Sequence, residues 1–286
     1  MRAKTSAAAT AGIILLAAAA STPAPEASSI PVSPETVDVA PRAYAYRTSG
    51  DFSRANRPID APLTILTRRA ALRIMKRQVT SAEYDRCVAE GKCAARSPST
   101  GAEPDLPAVG ISWWDATAYA AWLSVRTGES WRLPTDEEWA FAAGSRFHDD
   151  GLSVASRDPP ARWLARYEQE SERSASDPRP RPVGAFGANE HGLLDLSGNV
   201  WEWTSTCFMR RSLDENGEPS GPSSVNCGVR VAEGAHRAYV IDFIRDARGG
   251  GCSVGKPPAN LGFRLVRGDG AVSVIASAWR RLMFNN

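Results

Sequence analysis

Residues 192–203, GLLDLSGNVWEW, place several groups capable of chemistry in one short span. Asp195, Ser197, Asn199 and Glu202 offer side-chain oxygens, and Gly198 lets the backbone turn sharply and expose its carbonyls. Hard cations such as calcium take several oxygen ligands of this mixed carboxylate and carbonyl kind. The spacing is not that of an EF-hand loop. The same residues would also make a turn into a Trp-rich core strand with no ion. Trp201 and Trp203 would then alternate with Glu202, one face buried and a carboxylate on the other.

Sulfur is the second source of chemistry. Of the five cysteines, Cys87 and Cys93 are close enough to pair locally at the end of a helix. Cys207 and Cys227 flank a polar loop that a bridge would staple, worth about 2–4 kcal/mol. Cys252 is then the odd thiol, either reactive or metal-binding, or buried and inert. The three histidines, His148, His191 and His236, form no i,i+4 pair, and no carboxylate sits at metal-site spacing to any of them. Surface or hydrogen-bonded roles are expected for all three. The run Gly249, Gly250, Gly251 allows close backbone approach but lacks the Lys-Ser/Thr of a phosphate loop.

These groups need elements to hold them. Thr80 with Glu83, Ser112 with Asp115, and Thr135 with Glu138 are three capping boxes. They predict helices over about 81–89, from 113 to a stop at Gly128, and from 136 to Gly144. Residues 61–76 suit strands separated by basic turns, 238–244 a further strand, and 261–266 a terminal strand with Leu261, Phe263 and Leu265 alternating against Gly262, Arg264 and Val266. Residues 145–182 are rich in Arg, Ser, Asp and Pro, with a helical piece around 162–172, and read as a surface insertion in a domain spanning 61–268.

The chain is long enough, at 286 residues, for one substantial core, and most of its nine Trp lie between Trp113 and Trp203. A net charge of +2 gives no case for nucleic acid or an anionic membrane. Residues 1–20 carry a basic start and an apolar run ending in small residues, the pattern of a secretory signal; the run is too short for a membrane span. A periplasmic or secreted location follows, where disulfides persist. Residues 21–60, opening on a Pro/Ser/Ala-rich run, are expected to be a flexible leader, and 269–286 a tail helix packed on the domain.

The ordered set VGISWWDATAYAAWLSVRTGESWRLPTDEEWAFAAG, GLLDLSGNVWEW and RGGG…NLGFRLVR resembles the formylglycine-generating enzyme, or sulfatase-modifying factor, family. The likeness covers about residues 72–267, broken by the insertion. It implies a compact, loop-rich α+β fold, distantly related to C-type lectins, with bound structural calcium. The family's ligands, an Asn or Asp side chain, two backbone carbonyls and a Glu carboxylate, fall here on Asp195, Gly198, Val200 and Glu202. The family's other calcium site lies in the region replaced by residues 145–182 and is not carried over.

The family's oxidases convert a substrate cysteine to formylglycine with oxygen and copper held by two close cysteines. Here RGGGCSVGKPPANLGFR holds Cys252 alone, and Cu(I) prefers two thiolates. RWLARYEQE, the paired cysteines and HRAYVIDFIRDARGGGC resemble exported accessory proteins associated with copper nitrite reductase; another exported subgroup acts in siderophore maturation. The resemblance thus implies an exported maturation or accessory factor for a protein or peptide substrate, with oxidation at Cys252 in a groove formed with Arg248, Trp201 and Arg264. The other reading is a non-catalytic, calcium-stabilised binding module that engages a partner through its insertion.

Overall fold

Three helices begin where a hydroxyl stands three residues ahead of a carboxylate. They are α1 (Ser81–Ala89), α2 (Trp113–Thr127) and α3 (Asp136–Ala143). At each start the hydroxyl accepts from the N–H of the third helical residue, whose carboxylate accepts in return from the capping residue's N–H. Each cap stabilises by about 1 kcal/mol. Helix α2 stops on Gly128 at φ 71°, the left-handed turn that glycine makes without a Cβ clash. The computed structural model describes residues 33–96, 103–152, 158–174, 177–249 and 256–268. The expected signal segment, the tail 269–286 and Cys252 lie outside the described residues.

The segment expected as the later part of a flexible leader is instead built into the fold. Strands β1 (Thr36–Val39), β2 (Arg42–Arg47), β3 (Asp51–Arg54) and β4 (Arg57–Ile59) occupy most of it. Val39 is buried beside Leu72 and Ile74, and Phe52 packs on Ala61 and Leu213. The short period-2 alternation of TVDV and RAYAYR was masked by the Pro-rich run before it. Downstream, β5 (Leu63–Arg68) and β6 (Leu72–Met75) match the strands expected there.

β1 pairs with β6, which pairs with β12 (Val266–Arg267), which in turn pairs with β7 (Trp131–Arg132), all antiparallel. β2 pairs with β5 in a separate two-stranded sheet. A larger sheet runs β10 (Ala238–Ile241), β9 (Ser224–Glu233), β8 (Trp201–Leu213), β3, β4, with β11 (Leu261–Gly262) parallel to the start of β8. The supposed polar loop between Cys207 and Cys227 is therefore about half antiparallel ribbon, the end of β8 on the start of β9, with a loop over 214–223 at its tip. The terminal strand breaks into β11 and β12 because Arg264, between them, turns inward to a buried partner.

Besides the Phe52 cluster, two larger apolar clusters hold these elements. One gathers Tyr84, Tyr119, Trp122, Trp203 and Phe263 between α1, α2 and β8. Phe263 meets Tyr119 edge to face at 5.3 Å, while Tyr84 stacks on Tyr119 at 5.8 Å. The other sets Trp139 and Phe141 of α3 against Leu72, Ile74, Leu193, Leu196 and Val266. The described part of the insertion is organised by a single helix, α4 (Pro159–Arg173). The result is an α+β fold with short strands and long connections.

Candidate functional site

Leu193 and Leu196 sink into the second cluster and so fix the loop that precedes β8. Asp195, Ser197 and Asn199 all adopt left-handed backbone, at φ 60°, 57° and 64°. Asp and Asn tolerate that region better than most residues. Gly198 is needed for a different reason, since a Cβ there would lie 2.9 Å from the Phe186 ring. The Asp195 carboxylate is buried and accepts from the backbone N–H of Gly184 at 2.5 Å and of Phe186 at 2.8 Å.

Glu202 does not face water as the alternation predicted. Both faces of the first turn of β8 are covered, and the carboxylate is buried. Its Oε1 accepts from Gln78 Nε2 and Arg264 Nη2, both at 2.7 Å. Its Oε2 accepts from Trp139 Nε1 at 2.9 Å and Arg264 Nε at 2.6 Å. Four donors take the carboxylate's four lone-pair sites. The expected ligand set of Asp195, Gly198, Val200 and Glu202, as placed, does not fit calcium: its Glu is saturated, and the neighbouring charge is already a guanidinium. Gln78 was not foreseen, because nothing in its local sequence marks it as a buried donor.

A second buried charge cluster ties the insertion to the sheet. Arg237 is fully buried and donates to Glu233 at 2.8 Å, Asp150 at 2.7 Å and Asp136 at 3.0 Å. Tyr46 donates to Asp136 at 2.6 Å, and Tyr239 to Asp150 at 2.9 Å. Burial and the adjacent Asp136 push the Glu233 carboxyl well above the usual range. Burial acts on Asp136 in the same direction, but Arg237 and its hydrogen bonds hold it low.

Helix α4 buries a single residue, Glu170. Its Oε2 accepts from the backbone N–H of Lys256 at 2.5 Å, and its Oε1 lies 4.0 Å from His236 Nδ1. His236 is buried, with Nδ1 3.1 Å from the Arg237 carbonyl, and its Nε2 has no hydrogen-bond partner. Trp201 packs edge-on against the imidazole at 5.2 Å and donates from Nε1 to the His236 carbonyl at 3.0 Å. Burial pushes the Glu170 carboxyl up to about 7 and the His236 imidazole down to about 4. Glu170 can therefore take or give a proton near neutrality, the property asked of a general acid–base group. Its partner Lys256 directly follows, in sequence, residues 250–255, which carry Cys252 and lie outside the described residues. The helix's position was legible in RWLARYEQE, but not which of its residues would be buried.

Of the groove expected around Cys252, the three flanking side chains among the described residues are engaged elsewhere. Arg264 is spent on Glu202, Trp201 is covered by His236, and exposed Arg248 pairs with Asp246 at 3.0 Å. Both expected disulfides are present, Cys87–Cys93 and Cys207–Cys227. Among the described residues, no group of three or more His, Cys, Asp and Glu side chains could hold a metal ion.

A disulfide-braced α+β domain with charged clusters locked beneath its sheets defines a scaffold class, and comparison with known proteins places it. The model of the sulfatase-modifying factor enzyme 1-like domain matches residues 22–269, and the chain belongs to that family. The formylglycine-generating enzyme of Streptomyces coelicolor is 34% identical over 182 residues, 59% of this chain and 55% of that one. The inactive C-alpha-formylglycine-generating enzyme 2 of Mus musculus is 37% identical over 170 residues, 58% of this chain and 50% of that one. The chain thus spans about half the length of the curated relatives it matches. Among solved structures, PvdO from Pseudomonas aeruginosa shares the fold, with a TM-score of 0.54 at 22% identity, covering 82% of this chain and 95% of that one.

Proposed function

We propose that this chain is an exported maturation or accessory factor that recognises a protein or peptide partner and does not run the family's two-thiolate copper oxidation. One observation carries the reading. Cys87–Cys93 and Cys207–Cys227 take four of the five cysteines into disulfides, leaving Cys252 as the one thiol. A single thiolate is a poor Cu(I) site. Similarity to active and inactive formylglycine-generating enzymes alike is compatible with a scaffold kept for recognition. The bridges support a periplasmic or secreted location, and no helix among the described residues is long and apolar enough to cross a membrane. The narrowest form of the reading, assistance to a copper nitrite reductase, rests on the likeness of RWLARYEQE and HRAYVIDFIRDARGGGC to such accessory proteins.

The test is copper reconstitution of the purified chain in the presence of a cysteine-containing peptide. The expected result is neither a thiolate-to-copper charge-transfer band nor oxygen uptake, with Cys252→Ser keeping its cellular role. A band with oxygen uptake that Cys252→Ser abolishes would establish oxidation at Cys252 instead.

A further inference from the structure

Between the insertion helix and the edge of the larger sheet lies a cleft of about 470 Å³. Arg162 and Arg166 of α4 line one side, Arg210 and Arg211 of β8 another, and Phe52 of β3 and Ile59 of β4 contribute apolar lining. Arg162 is paired with Asp60, and Arg210 Nε lies 3.4 Å from Asp51 Oδ2. No carboxylate among the described residues lies within ion-pair distance of Arg166 or Arg211. The Arg211 Nε is buried and meets no acceptor. Arg166 and Arg211 thus line the cleft without a carboxylate partner among the described residues, in a chain whose overall charge is only +2.

Burying part of a guanidinium without an acceptor is costly, so the arrangement favours an anion supplied from outside. The planar fork of Arg suits a carboxylate, which it can grip with two parallel hydrogen bonds. The apolar lining suits a side chain more than a bare phosphate backbone. At the rim, Trp163 is 56% exposed and stacks on Tyr167 at 5.7 Å, giving the aromatic edge common in protein interfaces. We propose that this cleft binds an acidic, partly apolar peptide segment of the partner, its carboxylates paired with Arg166 and Arg211. The inference rests on the protein-partner reading above and names the chemistry of that partner.

The experiment uses the full chain and fluorescence anisotropy. The probes are a labelled hexapeptide alternating Asp and Leu, its Asn-for-Asp counterpart, and an oligothymidylate of matched charge. The Asp peptide should bind at least about tenfold more tightly than the Asn peptide, and Arg166→Ala with Arg211→Ala should remove that preference. Arg166→Glu with Arg211→Glu should turn the preference towards a Lys-Leu peptide, a gain that an unfolded variant cannot mimic. Equal binding of the Asp and Asn peptides, wild-type binding by the double Ala variant, or tighter binding of the oligonucleotide would overturn the proposal. Cross-linking in the native compartment separates the two levels. No captured protein would defeat the accessory reading, whereas a captured partner that still binds the double Ala variant would defeat only the cleft.

Discussion

Arg264 and Glu202 form a bidentate ion pair sealed from water, with Nε–Oε2 at 2.6 Å and Nη2–Oε1 at 2.7 Å. The same guanidinium donates to the carbonyls of Leu194 at 2.8 Å and Lys76 at 3.2 Å. One side chain thus joins the loop before β8, the segment after β6 and the start of β8. It occupies the electrostatic role that an ion would have in that loop.

Removing Arg264 should be severe. Arg264→Ala leaves a buried carboxylate with only two neutral donors, and breaking such a pair costs about 3–5 kcal/mol. Thermal unfolding measures this directly. Chelation by EGTA should leave the wild-type midpoint unchanged. A drop of several degrees would show that Glu202 exchanges Arg264 for calcium.

Stability should carry an opposed pH signature from Glu170 and His236. The Glu170 pKa rises from 4.5 to about 7, so its contribution is full below pH 4.5 and is lost as pH rises through about 7. The His236 pKa falls from 6.5 to about 4, so its contribution is full above pH 6.5 and is lost as pH falls through about 4. Glu170→Gln removes only the first effect. Relative to wild type, that variant should gain on the order of 2 kcal/mol between pH 4.5 and 7, read from denaturant unfolding at each pH. A constant difference across that range would contradict the assignment.

The bridge Cys207–Cys227 spans 20 positions across the β8–β9 ribbon. Replacing both cysteines with Ser should cost about 2–4 kcal/mol. Thiol titration of the unreduced, denatured chain should find one free group, because four of five cysteines are bridged.

Asp150 anchors the insertion by accepting from Arg237 at 2.7 Å and Tyr239 at 2.9 Å. Asp150→Ala leaves both donors short of an acceptor, at a cost of about 1–3 kcal/mol. Trypsin should then cut α4 at Arg162, Arg166 or Arg173 faster than in wild type. An unchanged cleavage rate would show that the helix is held by other contacts.

Part of this was legible beforehand because it is local. The three capping boxes named the starts of α1, α2 and α3, since each needs only a hydroxyl and a carboxylate three residues apart. Cys87 with Cys93, and Cys207 with Cys227, were nearest neighbours in the sequence. The strands at 36–59 were missed because their alternation is short and their partners are remote; Val39 pairs with Leu72.

The site divides along the same line. By itself the sequence determined the family, the helix starts, an odd number of cysteines with two candidate pairings, and a loop rich in oxygens before Trp201, while the structure fixed the bridges. Only the tertiary structure decided what those oxygens meet. Glu202 finds Gln78 across 124 positions and Arg264 across 62, while Glu170 reaches Lys256 across 86. A carboxylate's role depends on which charge or donor is folded against it in a low-dielectric interior. Spacing along the chain carries no record of that contact.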